Sequence, residues 1–217
     1  MNAAKSLIEK TRVMLVMQDE MNRRVDSDWI TREREWYRAI WIEGAELMDH
    51  YGGWKWWKHA TPDLEQAMLE IVDIWHFGLS SRIDPERDFD GIAATIVAEW
   101  QAPPPALDFS AEVERLTLAA LGERRFAVGS VANLVAACGR DFDDLYRTYV
   151  AKNVLNVFRQ DHGYRSGNYR KIWHGREDNV VLSELLERLD SDSPGFREAV
   201  YAALAAAYAE VSAAPSS

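Results

Sequence analysis

The chain has 217 residues, 47% of them hydrophobic and 28% charged, which is an ordinary globular composition with enough surface to bury a real core. Its single cysteine, Cys138, excludes an internal disulfide framework or a Cys-rich zinc site and suits a reducing compartment. A formal net charge of −10 excludes the usual non-specific nucleic-acid binder, which sets Lys and Arg against phosphates.

No apolar run approaches the roughly 20 residues of a membrane span. The first residues, Met1 to Ser6, lack the apolar stretch of a secretory signal, so a cytoplasmic, membrane-free protein is expected. The stepping of Leu7, Ile8, Thr11, Leu15, Gln18 and Asn22 predicts a first helix to about Arg24, its inward stripe turning polar at the two amides. After the break at Asp26-Ser27-Asp28, Thr31 is expected to cap a second helix with Glu33 and Glu35 in its first turn. That helix runs through Trp36, Ile40, Ile42 and Leu47 until Tyr51-Gly52-Gly53 stops it. Thr61-Pro62-Asp63 opens a third helix, from Pro62 to about Ser80.

Pro85 opens a fourth helix ending before Gln101, and Pro103-Pro104-Pro105 forms a linker. Helices follow around 110–122, 126–138 and 141–160, then an ordered loop over 161–178 and helices near 179–189 and 194–211, the latter started by Ser193-Pro194. The tail 213–217 is expected to be disordered. With no βαβ pattern and no internal repeat, the expected fold is all-α, a single catalytic domain over residues 1–212 with a variable helical insertion at about 103–145.

Two acidic spacings carry the chemistry. Glu43 and Glu46 lie three apart on the second helix, Glu70 and Asp73 three apart on the third, so each pair shares a helical face. Their neighbours (Ile40, Trp41, Ile42, Leu47 and Met48; Ile71, Val72, Ile74, Trp75 and Phe77) make both helices apolar nearly all round, a sign of burial. Carboxylates in such surroundings need neutralising by protons, bases or metal. If the helices run antiparallel the acids converge, and oxygen ligands without His or Cys suit Mg²⁺, or Mn²⁺, rather than zinc. Taken alone, either pair could equally be a solvated stripe.

The charge is uneven as well. Between Tyr146 and Arg176 seven bases face one acid, Asp161, so this segment carries +6 and the remainder −16. Lys152, Asn156 and Arg159 follow i, i+4, i+7 on one helical face, a pattern suited to a phosphate clamp. Acids for metal and bases for phosphate together point to a metal-bridged polyphosphate. Gln18 and Asn22 could read the polar edge of a nucleobase or be satisfied by the protein itself. Within Trp54-Lys55-Trp56-Trp57-Lys58 a tryptophan could stack on a base or serve as core, and His76 is open to a structural or a base-contacting role.

In this order, Gln18 with Asn22, Glu43-x-x-Glu46, the Trp54–Lys58 stretch, Glu70-x-x-Asp73 with Trp75-His76-Phe77, and Lys152-Asn153-x-x-Asn156-x-x-Arg159 through Gly163-Tyr164 to Tyr169-x-Lys171 resemble the dimeric all-α dUTP pyrophosphatases of the MazG-like nucleotide pyrophosphatase superfamily. The resemblance spans about residues 5–180, and residues 103–145 align with nothing. It implies a helical bundle of the all-α NTP pyrophosphatase type, a homodimer, and Mg²⁺-dependent hydrolysis of dUTP to dUMP and pyrophosphate, with dUDP as a further substrate. It implies that Glu43, Glu46, Glu70 and Asp73 bind the metal and form the catalytic set. Phosphate binding falls to Lys152, Asn156, Arg159, Tyr164, Tyr169, Lys171 and Lys58, and uracil binding to Gln18, Asn22, Trp57 and His76. A rotatable amide offers either donor or acceptor, so a relative acting on dCTP or another nucleotide is the alternative enzyme, and a catalytically silent nucleotide-binding helical dimer is the alternative from another class.

Overall fold

A computed structural model of the chain describes residues 2–190, 193 and 195–213. The chain forms two units, Met1–Tyr149 and Val150–Ser217. The first holds α1 (Asn2–Val25), a 3-10 turn at Trp29–Arg32, α2 (Trp36–Tyr51), α3 (Leu64–Arg82), α4 (Phe89–Gln101), α5 (Phe109–Glu123), α6 (Val128–Ala137) and the start of α7 (Phe142–Asp161). The second holds the rest of α7, a 3-10 turn at Tyr164–Ser166, a minimal hairpin of β1 (Ile172–Trp173) and β2 (Arg176–Glu177), then α8 (Asp178–Leu186) and α9 (Phe196–Ala213). Two two-residue strands are all the sheet among the described residues, so the fold is all-α as expected. No described helix is long and apolar enough to cross a membrane.

Helices α2 and α3 form the tightest pair of the first unit, and the direction of their packing is readable from side chains. Trp36 stacks on Phe77 at 6.2 Å between ring centroids, while His50, fourteen residues on from Trp36, reaches Glu70 at 3.4 Å. Later residues of one helix meet earlier residues of the other, so the pair is antiparallel. The Asp63 amide donates to the His50 carbonyl at 3.0 Å and closes the connection between them. Buried Ile40 and Leu47 from α2 and Ile71, Ile74 and Trp75 from α3 anchor the core, which Met14 and Leu15 of α1 join.

Local chemistry sets the helix starts, and here sequence expectations need adjusting. Aspartates cap α3, α4 and α5: Asp63, Asp88 and Asp108 accept from the amides of Gln66, Gly91 and Ala111 at 3.0–3.1 Å. The third helix therefore begins at Leu64 rather than Pro62, and the fourth at Phe89 rather than Pro85, because a side-chain acceptor one and three residues downstream, respectively, offers the better cap. Thr31 does not cap α2. It lies inside the 3-10 turn, its hydroxyl on the Asp28 carbonyl at 2.8 Å, and Glu33 at φ 45° reverses the chain before α2 begins at Trp36. Pro194 and the tail beyond Ala213 lie outside the described residues.

The stretch 103–145 becomes α5, α6 and the beginning of α7, with α5 lying against α2 and α6 against α4 and α5. Buried Glu112 organises the proline linker: it pairs with Arg115 and accepts hydrogen bonds from the Leu107 amide at 3.3 Å and from Asn133 Nδ2 at 3.2 Å. Between α3 and Phe126 there is no room for a side chain at position 78. A Cβ on Gly78 would meet three Phe126 ring atoms at 2.3–2.5 Å.

In the second unit an aromatic cluster joins the buried aliphatic side chains Leu155, Leu182, Val200 and Leu204. Phe158 of α7 meets Trp173, Tyr201 and Tyr208 edge-on at centroid distances of 6.0, 5.4 and 5.5 Å, and Tyr169 stacks on Tyr208 at 5.4 Å. The hairpin pairs Ile172 with Glu177 and Trp173 with Arg176 around His174-Gly175, both at positive φ (49° and 79°). Such a two-residue turn matches the twist of its strands. Trp173, 1% exposed, pins the hairpin, its indole N–H on the Arg170 carbonyl at 2.7 Å.

Candidate active site

Antiparallel packing brings the first acidic pair and one member of the second to one place. Glu43 and Glu46 of α2 and Glu70 of α3 each offer a carboxylate oxygen, and the three oxygens lie within 4.8 Å of one another. Glu70 is buried, Glu43 half-buried and Glu46 exposed, so the group grades from the protein interior to its surface. Asp73, one turn beyond Glu70 and half-buried, is not a member of this three-residue group. Asp49, a further turn along α2, turns outward and pairs with Lys55, which holds its carboxyl below the usual range.

A hard divalent cation fits this donor set. Three carboxylates this close repel one another, one of them sits in an apolar setting, and all-oxygen ligation is the preference of Mg²⁺ and Mn²⁺. The graded burial leaves room for further ligands on the open side. Metal binding would also explain why two helices with apolar surroundings carry acids at their meeting point.

The predicted base-reading residues form a buried network. Gln18, Asn22 and His76 are 5%, 8% and 4% exposed. Gln18 Nε2 donates to Asn22 Oδ1 at 3.0 Å, Asn22 Nδ2 donates to Ser80 Oγ at 3.0 Å, and Ser80 Oγ donates to the His76 carbonyl at 3.0 Å. Gln18 Oε1 accepts from the Tyr149 hydroxyl at 2.9 Å and lies 2.7 Å from His76 Nδ1, while the His76 ring stacks on Tyr149 at 4.2 Å. Sequence reasoning missed Tyr149 and Ser80. Ser80 follows His76 by one helical turn, a signal that spacing alone could have supplied.

Trp57, the remaining base candidate, is 61% exposed and contacts Trp54 and Trp56 edge-on at 5.6 and 5.5 Å on the connection between α2 and α3. Lys58 beside it is exposed.

The basic block belongs to the second unit. Arg159 Nη1 donates to Asn156 Oδ1 at 3.0 Å, so these two share a face as the spacing requires. Lys152, on the same helix, is 2% exposed. Arg159 also makes a two-pronged pair with Asp178, and Tyr169 donates to the same carboxylate, a partner that sequence reasoning did not find. Lys171 is exposed and 3.3 Å from Glu177, and Tyr164 is 49% exposed. Tyr169 is held protonated, first by burial and then by its hydrogen bond to Asp178.

An all-α fold with a carboxylate cluster across two antiparallel helices is compatible with the class of nucleotide pyrophosphatases that the sequence resembles. A family model described as dUTPase matches residues 10–164. The chain belongs to this all-α dUTPase family, and the activity it encodes is that of a dUTP diphosphatase. The match takes in both amides, all four acids and the Lys152–Arg159 helix, and ends at Tyr164, so Tyr169, Lys171 and Asp178 lie beyond it. No curated protein matches the chain.

Proposed function

We propose that the chain hydrolyses dUTP to dUMP and pyrophosphate in the presence of Mg²⁺, that Mn²⁺ can substitute, that dUDP is also accepted, and that the working form is a cytoplasmic homodimer. Support for the metal comes from the Glu43–Glu46–Glu70 cluster, with Asp73 proposed as a fourth ligand. Bound there, a divalent cation supplies charge neutralisation at the phosphoryl oxygens and a more acidic water. Glu43 or Glu46 takes the proton of the attacking water, both being accessible enough to exchange it afterwards. Lys152, Asn156, Arg159, Tyr164, Lys171 and Lys58 hold the phosphates, with Tyr169 beside them, and Trp57 stacks on the base.

The observation that carries the choice of base is the state of Gln18. Its Oε1 faces His76 Nδ1 and the Tyr149 hydroxyl, whose single proton is shared with the Met14 carbonyl, and its Nε2 donates to Asn22, contacts that support this orientation of the amide. What Gln18 retains for a ligand is a second N–H. Facing the 4-position of a pyrimidine, such a donor suits O4 of uracil and is mismatched to the exocyclic amine of cytosine; facing O2 it would suit both bases. The network around Gln18 supports this orientation of its amide, and with it the reading of dUTP over dCTP.

The test is pyrophosphate release from dUTP, dCTP, dTTP and ATP, each with Mg²⁺ and with chelator. Metal-dependent release confined to dUTP is the expected result. Equal turnover of dCTP would overturn the base assignment, and turnover in excess chelator would overturn the metal assignment.

A further inference from the structure

Asp178 occupies the centre of the second unit's polar groups. It is fully buried at 0% exposure, and it opens α8 directly after the hairpin. Its carboxylate takes three hydrogen bonds: from Arg159 Nε to Oδ2 at 2.8 Å, from Arg159 Nη2 to Oδ1 at 2.8 Å, and from the Tyr169 hydroxyl to Oδ2 at 2.7 Å. The Arg159 contact is two-pronged, the geometry that fixes a guanidinium plane rather than merely attracting it. The same guanidinium donates to Asn156 Oδ1 at 3.0 Å and Asn179 Oδ1 at 3.3 Å, so it is oriented from both ends.

The backbone of Asp178 contributes too. Its amide donates to the Lys171 carbonyl at 3.0 Å, the rung after the Ile172–Glu177 pair, so hairpin register places Lys171 and Asp178 opposite each other. One residue thus ties Arg159 and Tyr169 through its side chain and Lys171 through its main chain. Tyr169 has a single hydroxyl proton, and it is directed at Asp178; the ring acts as a brace on the carboxylate. Burying a carboxylate and a guanidinium together is a weak way to gain stability, because desolvation consumes most of the attraction. Its use lies in orientation.

We propose that Asp178 is a positioning residue of the active site: it aims the Arg159 guanidinium at the substrate's phosphates, with Tyr169 as its brace. This rests on the reading that Arg159 belongs to a phosphate site. A guanidinium held in advance stabilises charge developing on the phosphates without reorganising during the reaction. Without Asp178 the guanidinium keeps its charge and loses its direction.

The experiment uses the full chain and the variants Asp178→Asn, Tyr169→Phe, Arg159→Ala and the double variant of positions 178 and 159. It measures kcat and KM for dUTP, calorimetric affinity for inorganic pyrophosphate with Mg²⁺, and Tm. Asp178→Asn is expected to lower kcat by tenfold or more, roughly the scale on which small misplacements act, and pyrophosphate affinity by about fivefold. In the Arg159→Ala background the same substitution is expected to change either by no more than about twofold, since Asp178 acts through that residue. A purely structural role would lower Tm in both backgrounds and leave kcat per folded molecule unchanged.

The proposal is overturned if Asp178→Asn retains the kcat and pyrophosphate affinity of the parent, or if its losses multiply fully with those of Arg159→Ala. Should Asp178→Asn fail to fold, Tyr169→Phe decides: weaker pyrophosphate binding at unchanged Tm supports the brace, and parental affinity overturns it. A parent chain that binds pyrophosphate in an Asp178-dependent way but leaves dUTP intact would sink the substrate reading and support this one. A parent chain that binds no pyrophosphate would overturn this one.

Discussion

Replacing Gly78 with alanine sets two known effects against each other. Alanine is the better helix former, and in a helix interior the exchange is worth about 1 kcal/mol of stabilisation. Against this, the new methyl would lie 2.3–2.5 Å from three Phe126 ring atoms, where carbon atoms prefer about 3.5–4.0 Å. Phe126 cannot easily retreat, being 2% exposed and packed edge-on against Trp75 at 5.5 Å. Overpacking of a filled core costs about 1–3 kcal/mol, and this overlap belongs at the upper end.

The net expectation for Gly78→Ala is destabilisation by about 1–2 kcal/mol, or roughly 2–8 °C in Tm for a chain of this size. Differential scanning calorimetry reads it directly. Shrinking the neighbour supplies the control: in a Phe126→Leu background the alanine should cost much less, or become stabilising, because the ring atoms it would strike are gone. A Gly78→Ala variant that melts higher than the parent would show that helix propensity outweighs the close approach of Phe126 to α3.

The other expectations concern the site and the lone thiol. Glu70→Ala should lose Mg²⁺-dependent pyrophosphate release by roughly 10²-fold or more, and should also lose any rise in Tm on adding Mg²⁺; near-normal turnover in saturating Mg²⁺ would refute the metal assignment. Gln18→Ala should narrow the ratio of kcat/KM for dUTP over dCTP more than it lowers kcat for dUTP, and an unchanged ratio would count against Gln18 as the base reader. Burial pushes the Cys138 thiol up to about 11 from 9.0. Because the folded state then holds a proton that the unfolded state has released, stability should decline as pH rises from about 9 to about 11. At pH 8.5 native Cys138 should react with iodoacetamide far more slowly than in urea, and equal rates would refute the burial argument.

Much of the site's outline was legible because it follows helical spacing. Glu43 with Glu46 and Asn156 with Arg159 are local pairs, and local geometry is what a sequence states directly, whereas Glu70 joins the first pair only through the packing of α3 on α2. The helix starts at Leu64 and Phe89 depended on choosing between Pro and Asp signals, and the aspartate won both times because it supplies an acceptor where the first amides need one. The α2 start was misplaced because Glu33 adopts a left-handed conformation that nothing in its side chain announces.

What stayed hidden was partnership over distance. Tyr149 meets Gln18 across 131 residues, and Asp178 meets Arg159 across 19, with a loop and hairpin between them. The sequence shows a basic segment and cannot show that its central arginine is already answered by an acid just past the segment's end. Nor could the unaligned stretch 103–145 declare that α5 would support α2, the helix carrying two of the clustered acids.

The turn at His174-Gly175 limits where the chain tolerates changes in length. The side chains of a strand alternate in direction, so one residue inserted there would exchange the two faces of everything up to the next anchor. Trp173 would remain docked while the acid opening α8 slid out of step with Lys171. A polar, exposed tip usually invites loop grafts and epitope tags, but here a single extra amino acid should do more harm than most side-chain exchanges nearby.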